Sequence, residues 1–151
     1  NPEQSHRPSW MCSLAYYRPK GMIMPELKRI LHVEDDPSIQ AVAKVALEAV
    51  GGFEVLSCSS GQDAIDRVAG FAPDFILLDV MMPGMDGPQT LEQLVNLVDI
   101  NVVPVAFMTA KVQPAEVEHY LSLGARDVII KPFDPMQLAS QIRAIWSRSN
   151  G

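Results

Sequence analysis

The sequence predicts an α/β protein: an open, doubly wound, five-stranded parallel sheet with helices on both faces. From Leu27 onward, short β-type runs alternate with helical runs five times, the pattern of a parallel sheet covered on both sides. The run FILL at 75–78 is apolar throughout, as a strand buried on both faces requires. A barrel of such units needs eight strands, so five leave the sheet open.

The first strand is expected over Lys28–Val33 (KRILHV). Asp36-Pro37 then supplies a cap and a proline in the first helical turn, and Ile39, Val42, Ala43, Ala46, Leu47 and Val50 form the apolar face of a helix stopped by Gly51-Gly52. Phe53–Ser57 reads as the second strand. Ser60 with Asp63 resembles a capping box for a short helix bearing Ala64, Ile65, Val68 and Ala69. The third strand starts at Phe75, and a helix over Pro88–Val98 follows with Leu91, Leu94, Val95 and Val98 as its stripe. Val102–Met108 is the fourth strand; Pro114 opens a helix with Val117, Tyr120 and Leu121 inward and Gly124 as its stop. Asp127–Ile130 is the fifth strand, and Asp134-Pro135 caps a last helix bearing Leu138, Ile142, Ile145 and Trp146.

Residues 1–26 hold four prolines and no period, so they read as a flexible N-terminal arm or an added extension. One domain is expected over 27–148, with 149–151 a short tail. The 151 residues carry 12 basic and 18 acidic side chains, net −6, which disfavours direct nucleic-acid binding. Cys12 and Cys58 lack any metal-ligand or disulfide spacing, and no apolar run approaches the roughly 20 residues of a membrane span. A cytoplasmic protein without membrane insertion is the expectation.

In open parallel sheets, ligands sit beyond the carboxyl ends of the strands. There the first strand ends in Glu34, Asp35 and Asp36, the third in Asp79, the fourth in Thr109-Ala110 and the fifth in Lys131-Pro132. No comparable set lies at the opposite ends. If the first and third strands are neighbours, their acids converge, and two like charges about 4 Å apart repel by roughly 4 kcal/mol at an effective dielectric of 20. Lys131 answers one charge, and a hard divalent cation suits the remainder: Mg²⁺ prefers one or two carboxylates, water and phosphate oxygens. Asp79 is then either a metal ligand only or also a nucleophile, since a carboxylate can attack phosphorus to give an aspartyl phosphate.

Glu34-Asp35, Asp79 within LLDVMMPGMDG, Met108-Thr109-Ala110 and Lys131-Pro132-Phe133, in that order, resemble the receiver domain of two-component response regulators, the CheY-like superfamily. The resemblance covers about residues 28–148. It implies the flavodoxin-like strand order 2-1-3-4-5. It implies Asp79 as phosphoacceptor; Glu34, Asp35, Asp79 and the Met81 backbone carbonyl around Mg²⁺; Thr109 as conformational switch; Lys131 as phosphoryl contact; and a cis Lys131-Pro132 bond. Its implied partners are a histidine kinase or histidine phosphotransfer protein and a downstream target or output domain, with the chain a monomer or weak dimer. Such a module is a signalling domain and not an enzyme, beyond its own phosphotransfer and slow dephosphorylation.

Three positions depart from that pattern. Val128 stands where many receivers carry a mobile aromatic ring, and a β-branched side chain cannot reproduce its swing. Met81 and Lys111 border the path of water to Asp79; neither orients or activates water at neutral pH, so slow self-dephosphorylation is expected.

Other noticeable residues have plainer roles. His32 is expected to be a packed, hydrogen-bonded histidine facing a helix layer away from the acid pocket, and Cys58 a small core or loop residue. Met81, Met82 and Met85 read as gap fillers. Two other functions compete: a phosphate-independent receiver-like scaffold, and a Mg²⁺-dependent phosphohydrolase of the haloacid-dehalogenase type. The latter needs a second acid two residues past its nucleophile, where this chain has Met81. A flavin-binding flavodoxin fits poorly, because Glu34-Asp35-Asp36 would repel the phosphate its first loop must cradle.

Overall fold

The computed structural model describes residues 26–150. Five parallel strands pair in the order β2-β1-β3-β4-β5, as expected: β1 Arg29–Val33, β2 Glu54–Cys58, β3 Phe75–Asp79, β4 Val105–Thr109 and β5 Asp127–Ile130. The expected arm lies outside the described residues apart from Glu26.

Alternation along the strands splits the core in two. Leu31, Val33, Ile76, Leu78, Val105 and Phe107 meet α2 (Gly61–Phe71), α3 (Gly87–Leu94) and α4 (Pro114–Ser122) through Ala64, Val68, Leu91, Leu94 and Tyr120. On the other face Ile30, Phe75, Leu77, Ala106, Met108 and Ile129 meet α1 (Pro37–Val45), the π-helical turn Ala46–Val50 that continues it, and α5 (Leu138–Asn150) through Ala43, Leu47, Leu138 and Ile142. Fully burying a Leu, Ile or Phe side chain contributes about 1.5–3 kcal/mol, and every residue of β3 is buried.

Several boundaries differ from expectation for local reasons. The Asp36 carboxylate caps α1 by accepting from the Ser38 and Ile39 amides, as expected, but the last turn, Ala46–Val50, is π-helical and Val42 and Val50 are exposed. At α2 the Ser60 hydroxyl accepts from the Asp63 amide, while the Asp63 carboxylate reaches Ser59 and not the cap residue. Helix α3 starts earlier than Pro88, because Asp86 and Gln89 form a reciprocal capping box; it ends at Leu94 in a series of turns. Asp99 holds the following segment as a turn through its bonds to Asn101, Val102 and Val103, so β4 begins only at Val105. Leu121 in α4 points outward, 42% exposed, while Tyr120 is buried against Phe107. Asp134 caps a turn preceding α5 rather than the helix itself, and α5 runs over Leu138–Asn150.

Candidate functional site

Because side chains alternate, Phe75 and Leu77 toward α1 and α5 carry Asp79 to the same side, just as Ile30 carries His32 and Glu34, and Ile129 carries Lys131. The pairing of Val33 with Leu78 sets Glu34 beside Asp79. One oxygen each of Glu34, Asp35 and Asp79 lies within 4.8 Å of the others. The convergence expected from neighbouring first and third strands is therefore present.

Lys131 reaches over β4 into this cluster. Its Nζ donates to Asp79 Oδ1 at 2.9 Å and stands 2.7 Å from Glu34 Oε1, an ion-pair contact outside hydrogen-bond geometry. Both carboxylates are buried, which makes their charges costly without such a partner. Burial pushes the Glu34 carboxyl up to about 7; Lys131 and the Asp36 amide oppose that rise and the Asp79 charge adds to it. Burial pulls the Lys131 ammonium down, but the two carboxylates outweigh it, and its pKa ends above the usual lysine value. Glu34 is fixed further by the Asp36 amide, which donates to Oε2 at 3.1 Å, and by the Gln40 side-chain amide on its carbonyl.

Thr109 is buried at the end of β4, one residue beyond the Met108 that pairs with Asp79. Its Oγ1 accepts from the Lys111 amide at 3.0 Å, and its carbonyl accepts from the Lys131 amide. The Lys131-Pro132 bond is cis. Met81 lies in the loop after Asp79 with its side chain 65% exposed, while Met82 is buried in the core. Of the expected site residues, then, Glu34, Asp35, Asp79 and Lys131 converge, with Thr109 and Met81 at the adjoining strand end and loop.

Two features went unread in the sequence. Gly87 closes the loop onto the site, its amide on the Val80 carbonyl, and a Cβ there would fall 2.4 Å from the Asp79 carbonyl oxygen. The loop's glycines announced a turn but not this close approach. The second is His32, for which the expectation needs correction. It does face the α1/α5 layer, but that is also the face of Glu34 and Asp79, and neither ring nitrogen has a hydrogen-bond partner among the described residues. Position in a strand told of burial, not of satisfaction. Cys58 is buried, and burial pushes its thiol up to about 12, the state of an inert core cysteine.

A family model described as the response regulator receiver domain matches residues 30–143. The chain belongs to that family. This receiver is 37% identical over 122 residues to the DNA-binding response regulator MtrA of Mycolicibacterium smegmatis, covering 81% of this chain and 52% of the relative. It is 35% identical over 122 residues to the alkaline phosphatase synthesis transcriptional regulatory protein PhoP of Bacillus subtilis, covering 81% and 50%. The chain thus spans about half the length of the curated relatives it matches. Among solved structures it resembles a CheY-like receiver domain protein from Methanospirillum hungatei (TM-score 0.72, 27% identity, 82% of this chain and 97% of that one). The chemotaxis protein CheY4 of Vibrio cholerae shares the fold (TM-score 0.74, 24% identity, 80% and 99%).

The receiver family carries signalling domains of two-component systems, so the fold and the class of function follow together. Among the described residues no helix is long and apolar enough to cross a membrane. The oxygen-only donor set of Glu34, Asp35 and Asp79 has the chemistry of a hard-cation site and lacks the nitrogen and sulfur ligands that softer metals select.

Proposed function

We propose that Asp79 is the phosphoacceptor of a two-component phosphorelay, with a histidine kinase or histidine phosphotransfer protein as donor. The observation that carries this reading is the Lys131 ammonium set between Glu34 and Asp79 in a cluster of three carboxylates. An Asp79 carboxylate oxygen attacks phosphorus of the donor phosphohistidine and forms the P–O bond. The P–N bond breaks, and its electron pair returns to the donor imidazole. Lys131 accompanies the transfer, exchanging its contact with Asp79 for the phosphoryl oxygens. The Thr109 hydroxyl already accepts from the Lys111 amide, which leaves its O–H to donate to a phosphoryl oxygen. Glu34, Asp35, Asp79 and the Met81 carbonyl would hold Mg²⁺, which when bound neutralises phosphoryl charge.

An apolar groove lined by Ile39, Val42, Ala110, Pro132 and Phe133 opens beside Lys131 and suits a donor that is a protein surface. Residues 27–148 form the receiver in this reading, working in the cytoplasm as monomer or weak dimer and passing its state to a downstream target or output domain. It acts on no substrate but its own aspartate.

Intact mass after incubation with acetyl phosphate and Mg²⁺ tests the assignment. Gain of one phosphoryl group by the parent, and none by Asp79→Asn, is the expected result. No gain by the parent, or equal gain by both, would overturn it.

A further inference from the structure

Helices α3 and α4 pack on the same face of the sheet, and a groove of about 350 Å³ opens between them. Pro88, Glu92 and Val95 form one wall, His119 and Leu123 the other, with Leu91 below. Within each wall these residues stand three or four apart, so they follow one stripe of their helix. Leu91 belongs to the core, but Val95 and Leu123, the residues at which the two helices end, are exposed.

Charge around this groove is one-sided. Helices α3 and α4 carry Glu92, Glu116 and Glu118 and no Lys or Arg. Glu116 lies one turn before His119, on the stripe that faces the groove. None of the three glutamates forms an ion pair among the described residues. Other helical acids are matched one turn away: Lys44 stands 3.7 Å from Glu48, and Arg67 stands 3.3 Å from Asp63. Helices α3 and α4 each follow a strand of a parallel sheet, so they point the same way and their C-terminal ends lie together near Val95 and Leu123. Each such end carries roughly half a negative charge, and α3 has no basic residue in its last turn to answer it.

We propose that the groove between α3 and α4 docks a basic amphipathic helix of a partner protein. Two parallel helices leave a furrow into which the ridge of a third helix fits. An apolar stripe on that helix covers Leu91, Val95 and Leu123, and its flanking Lys or Arg residues answer Glu92, Glu116 and the two helix ends. The groove beside Lys131 suits a different occupant, since the charged residue in its lining is that ammonium. A second copy of this chain does not fit either, because it brings the same acids and a formal net charge of −6. The inference goes beyond the phosphoacceptor reading and requires no phosphate on Asp79.

The test uses the unphosphorylated full chain and a synthetic helical peptide with Leu at i, i+3, i+4 and i+7 and Lys elsewhere. Titration followed by backbone amide spectra should shift signals along α3 and α4, centred on 91–95 and 116–123. The same peptide with Glu in place of Lys should not bind, and a scrambled Lys peptide of equal composition should bind about tenfold less tightly. On the protein, Glu92→Lys should weaken binding about tenfold, whereas Asp66→Lys, the same charge change at an exposed site on α2, should leave it nearly unchanged. No binding, shifts centred on the groove beside Lys131, equal affinity for the scrambled peptide, or equal losses in Glu92→Lys and Asp66→Lys would each overturn the proposal. So would a dimer, seen by sedimentation, that Val95→Asp dissociates, because the groove then serves a second copy. Failure of the phosphoacceptor reading shows itself separately, as absence of phosphate uptake by the parent.

Discussion

At His32 the fold itself sets the protonation state, burial first and the Lys131 charge second bringing the ring from 6.5 to about 4. Between those values the unfolded chain binds a proton that the native protein refuses, so this contribution is present above 6.5 and is lost as pH falls toward 4. Its full size is about 3 kcal/mol. Glu34 acts in the opposite sense: its native carboxyl, raised by burial to about 7, binds protons more readily than the unfolded one, and that contribution is lost as pH rises from 4.5 through 7. The two offset each other where their windows overlap. On moving from neutrality to about pH 5, His32→Leu should therefore gain roughly 2 kcal/mol on the parent, read from urea midpoints at the two conditions. An equal stability difference at both pH values would mean that the ring titrates normally. Met81 poses a second question at this scale. Its exposed thioether cannot orient water toward a phosphorylated Asp79, so Met81→Asn should shorten the lifetime of the phosphorylated protein, measured by decay of the intact-mass signal. A lifetime left unchanged argues against that role for the loop.

Among the elements, the β3–α3 connection shows most clearly how the site is built. Strand β3 delivers Asp79 by simple alternation, but the loop returns so tightly that a Cβ at Gly87 would meet the Asp79 carbonyl oxygen and Val80 Cα. Gly87→Ala should cost about 1–3 kcal/mol by overpacking and also slow phosphate uptake, since relief requires the Asp79 backbone to move. Asp86→Ala, one residue earlier, removes only the capping box and should cost about 1 kcal/mol with uptake unchanged. Both are measured by urea unfolding beside acetyl phosphate labelling; equal effects on uptake would show that the helix start, not the close approach, governs Asp79. The same loop marks what the sequence could tell. Strand FILLD and the acids past it were legible because period and position are properties of the chain. The early start of α3 at Asp86 was hidden because Pro88 is an equally good opening signal, and the late start of β4 because the Asp99 turn outweighs the apolar run before Pro104. His32 was misread for a related reason: alternation tells which face a residue takes, not whether a partner waits there.

For the whole molecule, the proposed reading raises the question of how a phosphoryl group on Asp79 changes a surface when Val128 offers no ring to swing. Val128 is half-buried and packs into the cluster that holds Phe107 and Tyr120, where a tilted ring pair 5.2 Å apart already joins β4 to α4. Thr109 is the link from the site to this region: its hydroxyl is bonded to the Lys111 amide, at the start of the exposed segment leading into α4. That helix begins after Gln113 without a side-chain cap bond, unlike α1, α2 and α3, whose first turns are held by Asp36, Ser60 and Asp86. Drawing the Thr109 hydroxyl toward a phosphoryl oxygen would release the Lys111 amide and pull on a helix end that no side-chain cap holds. The expected readout is a shift of the 110–113 segment and of α4, with Tyr120 moving with its helix. Amide and methyl spectra with and without beryllofluoride and Mg²⁺ test this: changes should concentrate at Thr109, across 110–113 and along α4, while α2 stays fixed. A Thr109 rotamer and an α4 that both stay where they are would sink the idea and place the output surface on another face of the receiver.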